Sequence, residues 1–93
     1  MTNTKHFNIE ESKKVCEVYY LISQVCKLRG FDWLEKELLN KWEKTVLEKK
    51  DEDEELSFIF AKYAFIEYLE NYFMKDEPII VFLIDAIEAV CWD

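Results

Sequence analysis

The scarcity of turn residues constrains the fold of this chain more than any other feature. Its 93 residues include a single glycine, Gly30, and a single proline, Pro78. An all-β chain needs a tight turn every few residues, and glycine and proline are favoured in such turns. Hydrophobic residues make up 51% of the chain, which suffices for a packed core and is the opposite of a disordered composition. The sequence therefore predicts one all-α domain.

Apolar residues recur at helical spacing in four segments, which predict helices over residues 9–29, 33–48, 54–74 and 78–92. The first stripe contains Val15, Val18, Tyr19, Ile22, Val25 and Cys26, and the second contains Leu34, Leu38, Leu39, Trp42 and Val46. No apolar residue lies between Leu47 and Leu56, so a turn is predicted there. Short connections between amphipathic helices predict an antiparallel four-helix bundle, with residues 1–7 as a loose N-terminus.

Helix ends are marked by residues that favour them. Asn8 is the predicted N-cap of the first helix, and Gly30 the residue that ends it in a left-handed conformation. Asp32 and Glu35 have the spacing of a capping box. Asp53, after Asp51, is expected to begin the third helix.

The charge pattern predicts how deeply two of the helices are buried. The second helix is mostly charged outside its stripe, so we expect it at the periphery of the core. The fourth is apolar almost all round and is expected to be the central element. Its exposed side would carry Val81, Asp85, Glu88 and Trp92.

No catalytic, metal or cofactor motif stands out. Cys16, Cys26 and Cys91 are too widely spaced for a disulfide framework, and we expect all three to pack. His6, the single histidine, lies in the N-terminal segment. A calcium loop counted from Asp51 would need glycine and glutamate where Leu56 and Lys62 stand. The prediction is a non-enzymatic protein without metal or cofactor.

The N-terminus has no apolar signal region, and the longest apolar run covers only residues 79–84. A membrane-spanning helix needs about 20 apolar residues. We therefore expect a cytoplasmic protein with reduced thiols and no membrane contact.

Negative charge is concentrated in the second half of the chain. Residues 1–50 hold 10 Lys and Arg against 8 Asp and Glu, whereas residues 51–93 hold 2 Lys against 12 Asp and Glu, a net charge of −10. Such a field repels nucleic acid and attracts basic proteins. Solubility alone is the alternative explanation of this charge.

The third helix has two different faces. Its predicted core face comprises Phe58, Ala61, Phe65, Ile66, Leu69, Tyr72 and Phe73. The opposite face mixes rings with acids: Phe60, Tyr63, Glu67, Glu70 and Asn71, with Ile59 and Met74 beside them. Aromatic anchors next to carboxylates are typical of a protein interface. The alternative is a helix buried on both sides, between the fourth helix and the first.

The candidate partner-binding residues are therefore this face and the acidic run before it: Asp51, Glu52, Asp53, Glu54, Glu55, Phe60, Tyr63, Glu67, Glu70 and Asn71. In size, helicity and acidity the chain is similar to small inhibitor proteins, among them immunity proteins that neutralise nuclease toxins. The predicted function is neutralisation of a basic protein, such as a nuclease toxin, by electrostatic and steric occlusion. A structural subunit or homo-oligomeric helical adaptor, including a homodimer, is the alternative.

Overall fold

The protein is a four-helix bundle. A computed structural model describes residues 12–72 and 77–91, and this part of the chain contains no β-strand. The helices are α1 (Lys13–Leu28), α2 (Asp32–Glu48), α3 (Glu54–Tyr72) and α4 (Pro78–Glu88). The all-α prediction is thereby confirmed. α1 begins at Lys13 after Ser12, whose backbone is extended, so the prediction of a helix that runs on from residue 9 is wrong at its start. Some predicted features lie outside the described residues: Asn8, His6, Phe73, Met74 and Trp92.

The four helices form a closed ring in which each packs against two neighbours. α1 contacts α2 and α4, and α3 contacts the same two helices. Neighbours run antiparallel: the end of α1 meets the first turns of α4 where Arg29 lies over the Phe82 ring, and Lys62, in the middle of α3, reaches the Val90 carbonyl just after the end of α4. In the described part of the chain, none of the helices combines the length and hydropathy that a membrane crossing requires.

Trp42 of α2 lies at the centre of the core. Its side chain is completely buried, and its ring meets the edges of Phe58 and Phe65 at centroid distances of 6.5 and 5.4 Å. The indole N–H would be costly to bury unpaired, and it donates to the Val15 carbonyl of α1 at 3.1 Å. The prediction that the second helix is peripheral is therefore wrong.

The prediction that the fourth helix is central is also wrong. α4 occupies one corner of the ring, and Val81 and Phe82 are 41% and 48% exposed. A helix with two neighbours has an outward side whatever its sequence. Because α4 is apolar almost all round, some of its hydrophobic residues are on that side and are partly exposed.

Four side chains predicted to be buried are exposed: Tyr19, Tyr72, Cys16 and Cys91. Tyr19 lies at the edge of the α1 stripe, beyond the width that two neighbouring helices cover. Tyr72 is in the last turn of α3, where its ring rests on Tyr68 at a centroid distance of 4.9 Å. Cys91 follows the end of α4.

The α1–α2 connection confirms the prediction for Gly30 and contradicts the capping box. Gly30 has a φ of 74°, and the Phe31 N–H donates to the Cys26 carbonyl at 2.8 Å, which is the Schellman ending of a helix. The chain re-enters a helix at once, so Phe31 is the N-cap of α2 and Asp32 its first residue. Glu35 instead accepts a hydrogen bond from Ser23 of α1 at 2.5 Å.

Candidate partner-binding surface

We define the outer face of α3 as six exposed residues: Leu56, Phe60, Tyr63, Glu67, Glu70 and Asn71. These residues follow one another at intervals of one to four positions and share one side of the helix. Leu56, Phe60 and Tyr63 are 42%, 47% and 56% exposed. From Leu56 to Glu70 the outer face is about 21 Å long. The alternative in which α3 is buried between the fourth helix and the first is wrong, because α3 packs against α2 and α4 and keeps this face open.

A shallow depression of about 660 Å³ runs along the outer face. Four of the predicted partner-binding residues line it, namely Phe60, Tyr63, Glu67 and Glu70. Its remaining lining comes from Ala64 and Ile66 of α3, from Lys49 at the end of α2 and from Glu88 at the end of α4. The bundle thus adds residues from two other helix ends to a surface that the sequence places on one helix.

Among the described residues, the carboxylates around the depression form no ion pair shorter than 4.0 Å. Within residues 12–72 and 77–91, the ion pairs shorter than 4.0 Å are Lys14 with Glu17 and Lys27 with Glu35. Three acids of the depression, Glu67, Glu70 and Glu88, therefore face a single lysine, Lys49, without a direct ion pair. The depression carries a negative field beside exposed aromatic rings.

The acidic run does not line the depression, and part of it has a structural task. The Asp53 carboxylate accepts hydrogen bonds from the N–H groups of Glu55 at 2.9 Å and Leu56 at 3.2 Å, which makes Asp53 the N-cap of α3 as predicted. Asp51 accepts a hydrogen bond from the Asp53 N–H at 3.1 Å. The buried Ser57 hydroxyl accepts from the Asp51 N–H at 2.6 Å and donates to the Asp51 carbonyl at 3.0 Å.

These contacts divide the acidic run into two groups. Asp51 and Asp53 are exposed, and their carboxylates accept the backbone hydrogen bonds that fix the α2–α3 connection. Glu52 and Glu55 are also exposed but accept none of these bonds, and Glu54 is half-buried. Glu55 directly precedes Leu56, so the run adds negative charge at one end of the outer face. Asn71 is exposed at the other end, beyond the depression.

Lys62 is a buried charge that sequence reasoning missed. Its side chain is on the core side of α3, and the residue is only 6% exposed. The ammonium donates to the backbone carbonyls of Glu88 at 3.2 Å and Val90 at 2.8 Å, and it lies 5.4 Å from the centroid of the Tyr63 ring. A signal was present, because Lys62 follows Phe58 by four positions and therefore shares the core face.

Two chemical possibilities, a reactive buried thiol and a metal site, can be assessed in the described residues. Burial raises the pKa of the Cys26 thiol to about 11, and the charges of Glu35 and Asp32 add to the effect. This thiol is therefore protonated at neutral pH and lacks the thiolate that a nucleophile needs. In residues 12–72 and 77–91 no three His, Cys, Asp or Glu side chains are grouped so that they could hold a metal ion.

No protein-family model, curated protein or solved structure matches the chain. The arrangement of the outer face is consequently the basis for any functional assignment.

Proposed function

We propose that the protein is a non-enzymatic, cytoplasmic inhibitor or immunity-type protein that binds a basic protein partner, such as a nuclease toxin, through the outer face of α3. The observation that carries this proposal is the depression, in which Phe60 and Tyr63 are exposed beside unneutralised carboxylates. Rings of this kind supply contact area in protein interfaces, and carboxylates supply steering and specificity.

The mechanism is occlusion of a cationic surface. A nucleic-acid-cleaving protein holds phosphates with lysine and arginine, and the carboxylates of this chain occupy the same positive field. The net charge of −10 over residues 51–93 accelerates the encounter with such a partner, to an extent that salt reduces. Phe60 and Tyr63 then exclude water from the contact.

The test starts with capture of the partner from cells that make this protein, followed by purification of both. Binding is measured at rising salt for the wild type, for Tyr63→Ala and for a variant with residues 51–55 changed to Asn and Gln. Tyr20→Ala is the matched control, because Tyr20 is 65% exposed on α1, away from α3. We expect the Tyr63→Ala variant and the variant at residues 51–55 to bind more weakly, and the wild type to lose affinity with salt. A partner that is not basic, or equal binding by all four proteins, contradicts the proposal.

Self-association through the outer face of α3 and the exposed side of α4 is the second candidate. Leu56, Phe60, Tyr63 and Val81 are each more than 40% exposed, which is the observation that favours it. Two copies joined by this face would oppose their own acids, and Lys49 is the single cation of the depression to offset them. Sedimentation at low and high salt distinguishes the candidates. A stable dimer that Tyr63→Ala dissociates would favour the adaptor.

A further inference from the structure

The depression on α3 has the chemistry of a site for one planar cation. Phe60 and Tyr63 supply ring surface, and Glu67, Glu70 and Glu88 supply carboxylates from two different helices. Glu67 and Glu70 are one helical turn apart, and Glu88 approaches from α4. A side chain lying on the rings is therefore within reach of carboxylates from more than one direction.

Arginine fits this arrangement better than lysine. A guanidinium stacks on an aromatic ring and still donates from its edges to carboxylates, whereas an ammonium is a compact and strongly hydrated point charge. Contact with the rings removes water from one side of the incoming cation, which costs a guanidinium less than the more strongly hydrated ammonium. The molecule already uses this contact, since the Arg29 guanidinium lies 5.3 Å from the centroid of the Phe82 ring.

We propose that the depression is the anchor site for an arginine side chain of the basic partner. The inference rests on the proposed function, because it names the group by which that partner binds. The guanidinium lies against the Tyr63 ring and donates to carboxylates that line the depression, of which Glu67 is about one helical turn from Tyr63.

Lys49 has a specific role in this arrangement. It is the one cation that lines the depression, and it forms no ion pair shorter than 4.0 Å with an acid of the described chain. Its charge therefore opposes an incoming arginine. Removing that charge strengthens binding, an effect that is rare among substitutions in a binding site.

The experiment uses the whole protein, labelled with ¹⁵N, and a blocked pentapeptide Gly-Ser-Arg-Ser-Gly as the probe at low salt. Peptides with lysine or citrulline in place of arginine are matched probes, since citrulline keeps the shape of arginine without its charge. We expect saturable shifts of the Tyr63, Ala64 and Glu67 amides with the arginine peptide, an affinity about threefold lower with lysine, and no saturation with citrulline.

Variants locate the site. Glu67→Gln and Tyr63→Leu should each weaken binding by about threefold or more, and Lys49→Gln should strengthen it by about two- to fivefold. Glu43→Gln is the control, because Glu43 is an exposed acid on α2 outside the depression. The spectrum of each variant reports whether it is folded.

Equal shifts with the arginine and citrulline peptides overturn the inference, as do shifts spread over all the acids or a Glu43→Gln effect as large as that of Glu67→Gln. If one of these outcomes is found but the outer-face variants still bind the basic partner more weakly, the arginine anchor is refuted and the proposed function is not.

Discussion

Lys62 shows how a single residue can connect two helices. A buried ammonium is tolerated when its hydrogen bonds and its charge are compensated. The carbonyls of Glu88 and Val90 provide both, because they lie at the end of α4, where the helix dipole is negative and carbonyls lack partners within the helix. Lys62 thus acts as a C-terminal cap supplied by the neighbouring helix.

Replacing Lys62 by methionine should lower the free energy of unfolding by about 2–3 kcal/mol, the usual scale for hydrogen bonds made by a buried charged group. Methionine keeps most of the stem and so isolates the loss of the ammonium. The measurement is urea unfolding of the wild type and variant. Lys44→Met, on the exposed side of α2, is the control and should change stability by less than about 0.5 kcal/mol. If the two variants were equally stable, the cap would have no energetic role.

At the scale of the elements, the start of α3 is the best-defined boundary. Asp53 caps the helix, Asp51 caps the turn before it, and Ser57 holds the Asp51 backbone from within the first turns. The two exposed acids that make no capping bond, Glu52 and Glu55, are therefore presented from an ordered backbone. An interface built on such a segment loses less conformational entropy on binding than one built on a loose loop.

The cap predicts a specific order of stabilities for variants of Asp53. Asp53→Ala should cost about 1 kcal/mol, whereas Asp53→Asn should cost much less because asparagine is an equally good N-cap. Thermal and urea unfolding measure the difference. Glu52→Ala removes a neighbouring acid without a capping bond and should be close to neutral. An Asp53→Asn variant as unstable as Asp53→Ala would show that charge, and not capping, stabilises this end.

Local signals in the sequence predicted the elements well. The absence of apolar residues between Leu47 and Leu56 located the α2–α3 turn, and Gly30 marked the end of α1. Asp32 failed as a cap because Phe31, the last residue of the Schellman turn, is already the N-cap of α2, which makes Asp32 the first helical residue. Lys62 could not be assigned, because its partners are carbonyls 26 and 28 positions away in the chain. Helical spacing could place Lys62 on the core face, but the identity of its partners depends on the packing of helices and leaves no local signal.

The candidate surface was predictable where it depends on helical spacing and not where it depends on the packing of other helices. Helical spacing placed Phe60 and Tyr63 opposite the core, and both are exposed. Leu56 was missed although it precedes Phe60 by four positions on the same face. Lys49 and Glu88 reach the depression through the packing of α2 and α4 beside α3, which the sequence of α3 does not contain.

For the whole molecule, repulsion among like charges is the main electrostatic effect. The net charge is −8, and the described residues contain ion pairs shorter than 4.0 Å at only two places, in α1 and between α1 and α2. Salt screens repulsive and attractive interactions between charges alike. Because repulsion dominates in this molecule, the net effect of salt is to stabilise the fold.

The melting temperature should therefore rise when KCl is increased from 0.02 to 0.3 M at pH 7. Screening worth about 1 kcal/mol would raise it by about 4–8 °C in a domain of this size. Calorimetry measures the shift. A variant with Glu52 and Glu55 changed to Gln should show a smaller shift, since part of the repulsion is already gone. A melting temperature that falls with salt would mean that attractive pairs dominate.

The closed ring of helices has a consequence for chain connectivity. α1 and α4 pack against each other although no loop joins them, and the start of α1 lies at the same end of the bundle as the end of α4. The same four neighbour pairs would exist if a linker joined those ends and the chain were opened at another connection. The arrangement of the helices in the ring therefore does not depend on their order along the chain. A circular permutation would change that order and preserve the ring.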